Sequence, residues 1–211
     1  MAALACYQHM QEALSVFVGV GLAAACGFRI FVPLLVMSVA AVSGHLTLAP
    51  SFQWIGTYPA LITFGVATAL EITAYYVPWL DNLLDSVATP AAVVAGTIVT
   101  ASMASGMSPF LQWTLAVIAG GGAAGLVQTA TVVTRAASTA TTGGIANPLV
   151  ATGEWVLSLL MSFLTLVVPV MAVLALAVGG VFAGRKVWHH LAQRRNSRLI
   201  QPAQGMQPST S

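Results

Sequence analysis

Residues 13–43 read ALSVFVGVGLAAACGFRIFVPLLVMSVAAVS, an apolar run with a single charge, Arg29, near its centre. A helix rises 1.5 Å per residue and the hydrocarbon core of a bilayer is about 30 Å thick, so about 20 apolar residues make one crossing. The run is longer than that, and Gly27, Arg29 and Pro33 interrupt it. It predicts a first membrane helix that is tilted, kinked or broken near Arg29. A cation at the middle of a membrane helix costs about 2.5 to 3.5 kcal/mol on insertion scales, so Arg29 requires a carboxylate, backbone carbonyls or a water-filled cavity. Pro33 lacks the N–H that would bond the Arg29 carbonyl, and irregular backbone survives at membrane depth only inside protein or along a cavity. No Lys or Arg precedes Arg29. A cleavable signal needs such a basic start, so the run is expected to be retained.

Outward from this run lie four more apolar stretches, at about 58–79, 87–105, 110–133 and 149–182, the last carrying Pro169. The expected fold is all-α: a polytopic helical membrane protein with five or six apolar segments, some kinked, broken or re-entrant. Composition agrees, with 58% hydrophobic and 6% charged residues and a mean hydropathy of +0.89. Soluble domains carry about 25% charged residues, so an ordinary soluble domain is excluded. Cys6 and Cys26 form neither a metal-ligand spacing nor a disulfide framework. Five of the seven basic residues, Arg185, Lys186, Arg194, Arg195 and Arg198, follow the last apolar stretch. By the positive-inside rule the C-terminus is cytoplasmic, with anionic membrane lipid rather than nucleic acid as the partner of this stretch. The expected organisation is a membrane domain over 1–183, a basic juxtamembrane segment over 184–200 and a disordered tail over 201–211.

Small residues crowd the first and fourth stretches and permit close helix approach. Gly21, Ala23 and Ala24 recur as Gly121, Ala123 and Ala124, which admits either plain packing or an internal duplication, a recurrent plan in transporters. Acidic residues are scarce, and their placement carries the functional reading. Glu71 matches Arg29 in depth and is its natural partner by that measure. Asp81, Asn82 and Asp85 fall within one helical turn or so, and the two aspartates share a face. That pattern calls for a cation, a shared proton or a nearby Arg, or else an interfacial loop beside Trp79. After the fourth stretch, Arg135, Ser138, Thr139, Thr141, Thr142 and then Asn147 and Pro148 offer a cation, hydroxyls and a helix start with Asn147 as candidate cap. Such a segment suits an anion or a monovalent cation, and a plain loop has the same composition. Glu154 is expected near one membrane boundary.

The motifs Ala25-Cys26-Gly27-Phe28-Arg29-Ile30-Phe31-Val32-Pro33, Glu71 through Tyr75, Tyr76, Pro78, Trp79, Leu80, Asp81, Asn82 and Asp85 to Pro90, and Gly120 through Arg135 to Pro148 resemble the bacterial membrane proteins grouped as domain-of-unknown-function family 4126. The resemblance covers about Met10 to Ala175. It implies a multi-pass protein of the bacterial inner membrane and transfers no activity and no site residue.

The residues themselves point to a small transporter or lipid-linked flippase. Arg29 and Arg135, with Ser138, Thr139, Thr141, Thr142 and Asn147, would bind an anionic small molecule or lipid head group. Glu71, Asp81, Asn82, Asp85 and Glu154 would couple a proton or cation. So short a chain is expected to work as a homo-oligomer. The competing reading is a structural or assembly protein whose buried ion pairs fix helix packing. An intramembrane enzyme ranks third, since the chain has neither a zinc-protease nor a nucleophile-elbow motif and its histidines, His9, His45, His189 and His190, lie outside the apolar stretches. No cofactor motif is present, and a metal at Asp81 and Asp85 is left open.

Overall fold

Apolar residues with most prolines at helix starts favour helices, and the chain folds accordingly, with Pro90 inside α4. The structure is a computed structural model that describes residues 2–76, 78–168, 178–182 and 185–186, with side chains described from Glu12 in the first helix and from Ser86 in the fourth. In chain order come α1 (Ala2–Cys26), α2 (Phe31–Val42), a 3₁₀ segment (Pro50–Gly56), α3 (Tyr58–Ala74), α4 (Pro78–Met103), α5 (Pro109–Leu115), a π-helical segment (Ala116–Gly121), α6 (Gly122–Thr142) and α7 (Asn147–Val167). No strand occurs among the described residues. Two starts follow the hydroxyl-then-proline signal: the Thr57 hydroxyl accepts from the Ala60 N–H before α3, and the Ser108 hydroxyl accepts from the Leu111 N–H before α5. The chain divides into units Met1–Val173 and Leu174–Ser211. In the second, residues 178–182 and 185–186 are helical. The rest of the basic segment expected over 184–200, and the tail over 201–211, lie outside the described residues.

The first apolar run is not one crossing. Gly19 of α1 lies against Thr100 and Met103 of α4, while on α2 the Met37 sulfur accepts from the Ser102 hydroxyl at 3.5 Å. Both arms therefore meet the same turn of α4, and α1 and α2 form a hairpin whose tip, residues 27–30, carries Arg29. With 12 residues, α2 extends about 18 Å at 1.5 Å per residue, well short of the hydrocarbon core. The described residues therefore do not confirm the expected count of five or six segments. Among the described residues three helices are long and apolar enough to cross a membrane: Ser86–Met103, Pro109–Thr142 and Asn147–Val167. The 3₁₀ segment and α3, bent by 64°, make a fourth if taken as one span. Pro33 falls in the first turn of α2, where its missing N–H has no helical partner to lose.

The helices are amphipathic in the inverse sense. On α7 the buried face is Asn147, Ala151, Glu154, Ser158, Ser162 and Thr165, and on α6 it is Ala124, Gln128, Thr131 and Arg135. Outward stand Leu126 and Val133 on α6, Leu160, Phe163 and Val167 on α7, and Ile62, Val66 and Leu70 on α3. In water this arrangement would expose a broad apolar belt. In a bilayer it is the stable one, because polar side chains satisfy one another inside and hydrocarbon meets hydrocarbon outside. Fold and composition together are those of a helical membrane protein.

The π-helical segment joins α5 to α6 without a bend large enough to divide the span, which runs unbroken over Pro109–Thr142. Its Gly120 and Gly121 are buried against α4, beside Thr100 and Thr97. This close crossing sets the level at which α6 brings Gln128, Thr131 and Arg135 to the bundle centre.

Candidate functional site

The site is built on the hairpin tip. Beyond Cys26 the helix unwinds, and the Ala25 carbonyl takes the N–H groups of Phe28 (3.1 Å) and Arg29 (3.2 Å), together with the Ser158 hydroxyl of α7 (3.0 Å). Only glycine fits at position 27: a Cβ there would stand 2.5 Å from the Ala124 carbonyl oxygen and 2.6 Å from the Val127 Cβ. The tip is thus pressed against α6 on one side and hydrogen-bonded to α7 on the other.

Arg29 reaches from the tip to α7. Its Nη2 donates to Glu154 Oε2 at 3.0 Å and to the Ala151 carbonyl at 3.1 Å. Arg135 comes from α6 to the same carboxylate, with Nε donating to Oε1 at 2.9 Å and Nη2 donating to Oε2. One carboxylate therefore serves two guanidiniums. Both cations also stack on Tyr75, their central carbons 3.7 Å and 4.2 Å from the ring centroid, a geometry in which ring quadrupole and cation attract. Arg29 is 2% exposed, Arg135 3% and Glu154 5%. Nε and Nη1 of Arg29 are buried and have no hydrogen-bond partner among the described residues.

Glu71 does not pair with Arg29, contrary to the expectation from depth. Its Oε1 accepts from the Ile30 N–H at 2.8 Å and its Oε2 from the Phe31 N–H at 3.0 Å. These are among the N–H groups that the start of α2 leaves without helical partners, so Glu71 caps α2 from α3, where a negative charge meets the positive end of the helix dipole. The depth argument placed Glu71 at the correct level and erred on direction, because the Arg29 side chain crosses towards α7.

Glu154, expected near one membrane boundary, is buried within the bundle and bonded by both arginines. The stretch 135–142, expected to be a loop or a broken segment, is the last two turns of α6. Within it the Thr141 and Thr142 hydroxyls donate to the Ala137 and Ser138 carbonyls, each at 2.8 Å. Thr139, Thr141 and Thr142 are exposed and Ser138 is half-buried. Asn147 is buried, and its Nδ2 donates to the Thr139 hydroxyl at 3.1 Å, so it ties α7 to α6 instead of capping α7. Gly143 and Gly144, with φ of +64° and +88°, make the turn between them. Asp81, Asn82 and Asp85 lie on the first turns of α4, and their side chains fall outside the described residues. Among the described residues no three His, Cys, Asp or Glu come together as metal ligands.

Sequence reasoning missed Tyr75 as the ring on which both guanidiniums stack, Thr131 as a neighbour of Glu154 in a cleft wall and Ser158 as the donor to the Ala25 carbonyl. The available signal was polar residues at helical spacing on otherwise apolar helices. Two clefts flank the centre. One, of about 480 Å³, lies between the α2–α3 hairpin and α4 and is walled at its inner end by Glu71 and Tyr75. The other, of about 290 Å³, lies between α6 and α7 and is lined by Phe28, Thr131 and Glu154. Arg29 stands in the chain between Phe28, which lines the second, and Ile30, which lines the first.

No curated protein and no solved structure matches the chain. Residues 16–189, most of its length, match the family described as Domain of unknown function (DUF4126), and the chain belongs to that family.

Proposed function

We propose that the protein is a small membrane transporter or flippase for an anionic substrate, in which Arg29 and Arg135 hold the anion and Glu154 is the internal counter-ion that yields to it. The observation that carries this reading is Arg29, a fully buried guanidinium with Nε and Nη1 unpartnered among the described residues. Unmade hydrogen bonds to a buried cation are costly, and guanidinium N–H groups are charge-assisted donors to a phosphate or carboxylate. Glu154 supplies coupling. It must leave or take up a proton before both arginines turn to a substrate anion, so one proton moves with one anion. Clefts on two sides of Arg29 suit access from each side in turn, around a broken helix near the membrane interior. Asp81, Asn82 and Asp85 at the head of α4, with Glu71, complete the coupling set in this reading. Its setting is the bacterial inner membrane, with five or six membrane segments, a cytoplasmic C-terminus and more than one copy of the chain.

The test is thermal unfolding of the detergent-purified protein with inorganic phosphate, sulfate and small dicarboxylates, repeated on Arg29→Gln. A bound ligand stabilises by RT ln(1 + [L]/Kd), about 2.7 kcal/mol at a hundredfold excess over Kd. The reading expects a shift with one anion class that Arg29→Gln loses. A folded Arg29→Gln protein with the wild-type shift would overturn it. The second reading, ion pairs as architecture, is favoured by Glu71, whose carboxylate oxygens both bond the α2 backbone. It expects no anion to shift the wild type, and stability lost in Arg29→Gln to be partly recovered in Arg29→Gln/Glu154→Gln.

A further inference from the structure

We infer that the cleft between α6 and α7 is the proton entrance of the charged centre, through which water delivers to the Glu154 carboxylate, and takes from it, the proton that moves with the anion. This rests on the coupling role proposed for Glu154 and adds the route to it. The cleft holds about 290 Å³, and Glu154 is part of its wall together with Phe28, Thr131, Thr134 and Gly153. The same carboxylate is bonded by both guanidiniums, so the cleft meets the ion-pair network directly, at its acceptor. It is open at that level: Gly153, next in the chain to Glu154, has nothing within 4 Å of the place a Cβ would take.

The carboxylate has a place for the proton. A carboxylate offers about four lone-pair sites, and three donors fill this one unevenly. Oε2 accepts from Nη2 of Arg29 and from Nη2 of Arg135, whereas Oε1 accepts from Arg135 Nε alone among the described residues. The proton therefore goes from water to Oε1, the carboxylate becomes a neutral acid, and both guanidiniums turn their charge to the incoming anion. When the anion leaves, the proton returns to water and the ion pairs close again. The charged and titratable groups around Glu154 are Arg29 from the hairpin tip, Arg135 from α6, Tyr75 from α3 against both guanidiniums, and Glu71 from α3 within electrostatic reach. On α4 they are Asp81 and Asp85, whose side chains lie outside the described residues.

The approach to the cleft suits water. Thr134 at its rim is exposed, and from Thr134 to Thr142, about 12 Å at 1.5 Å per residue, every exposed residue of α6 is Ala or Thr. On α3 and α7 the outward residues include Ile62, Val66, Leu160 and Phe163. The Thr134, Thr141 and Thr142 hydroxyls donate to carbonyls one turn back, which leaves their lone pairs to accept from water. A hydroxyl-bearing face thus leads from the end of α6 to a buried carboxylate, the kind of group that marks proton pathways inside membranes.

The experiment treats the full chain in phosphatidylcholine nanodiscs with diisopropylcarbodiimide and locates the modified carboxylates by mass spectrometry. A protonated carboxyl adds across one C=N bond of the reagent, its proton going to nitrogen and its oxygen to carbon. An oxygen-to-nitrogen acyl shift then gives a stable N-acylurea, with no leaving group. The N-acylurea is expected at Glu154 and should increase on acidification. Gly153→Leu, whose side chain has room to enter the cleft, should lower it about tenfold by expelling water, with Ala130→Leu in its place should the first not fold. Gly153→Ala should keep the labelling, as should Ala91→Phe in the cleft beside Glu71. The thermal shift with inorganic phosphate should persist in Gly153→Leu, since closing a route changes a rate and not an affinity. Labelling of Glu154 that is unchanged in both leucine variants overturns the cleft as the entrance. Glu154 left unmodified on acidification, with the anion shift intact, overturns the proton route and leaves the anion site standing. Absence of both the shift and the labelling removes the two readings together.

Discussion

Replacing Glu154 with Gln tests whether the centre is held by charge or by shape. The amide has nearly the size of the carboxylate, so packing around α7 is preserved, while the carboxylate bonded to both Arg29 and Arg135 is lost. Removing one partner of a buried ion pair costs about 3 to 5 kcal/mol, because the remaining charge stays buried. Here two guanidiniums lose the same carboxylate, at 2% and 3% exposure, which puts Glu154→Gln at the upper end. That is about five kcal/mol, or several thousandfold in the folded-to-unfolded ratio. Reversible unfolding in bicelles measures it directly. The double variant Arg29→Gln/Glu154→Gln removes both partners of the Arg29–Glu154 pair, so its loss should fall short of the sum of the singles by about 1 to 3 kcal/mol. A Glu154→Gln loss under about 1 kcal/mol, or additive singles, would refute the shared carboxylate as the keystone of the bundle.

The close approach at the hairpin tip predicts that Gly27→Ala destabilises by about 1 to 3 kcal/mol, whereas Gly153→Ala, with open space around it, leaves the melting temperature unchanged or raised. The cap on α2 predicts that Glu71→Gln, which turns one acceptor into a donor facing an N–H, costs about 1 to 3 kcal/mol; hydrogen exchange should speed up at the Ile30 and Phe31 amides and not at Leu160. The stacking on Tyr75 predicts that Tyr75→Leu costs about 1 to 2 kcal/mol more than Tyr75→Phe, since phenylalanine keeps the ring face that the cations meet. Equal losses in a thermal melt would show that the ring acts only as bulk.

Much of this was legible in the sequence. Gly27, Arg29 and Pro33 announced a break, since no other combination so plainly disrupts an apolar helix while demanding a partner. The break's consequence was less legible: whether the chain goes on or folds back after Arg29 depends on what α4 offers both arms, which no local spacing states. The partner of Arg29 was hidden for a related reason. Depth along a helix ranks Glu71 and Glu154 by position in the membrane but says nothing of azimuth, and azimuth sends Arg29 towards α7. The polar stripes of α6 and α7 were readable all along. Gln128, Thr131 and Arg135, like Ala151, Glu154 and Ser158, recur at helical spacing, and in an apolar chain it is the rarer, polar residue that marks the inside. The threonines of 139–142 read as ligands because hydroxyls near an arginine suit that role; on the helix the Thr141 and Thr142 hydroxyls bond the carbonyl one turn back.

The π-helical turn at Ala116–Gly121 fixes the rotational phase of everything after it. Successive residues of an α-helix are about 100° apart, so deleting one residue from that turn, or inserting one, would swing α6 by more than a quarter circle about its own axis. Arg135, Thr131 and Gln128 would then face hydrocarbon, and Leu126 and Val133 would turn inward. A single-codon indel there is thus a far harsher mutation than any substitution in the same six residues, and length in this stretch is as much a part of the charged centre as the arginine it aims.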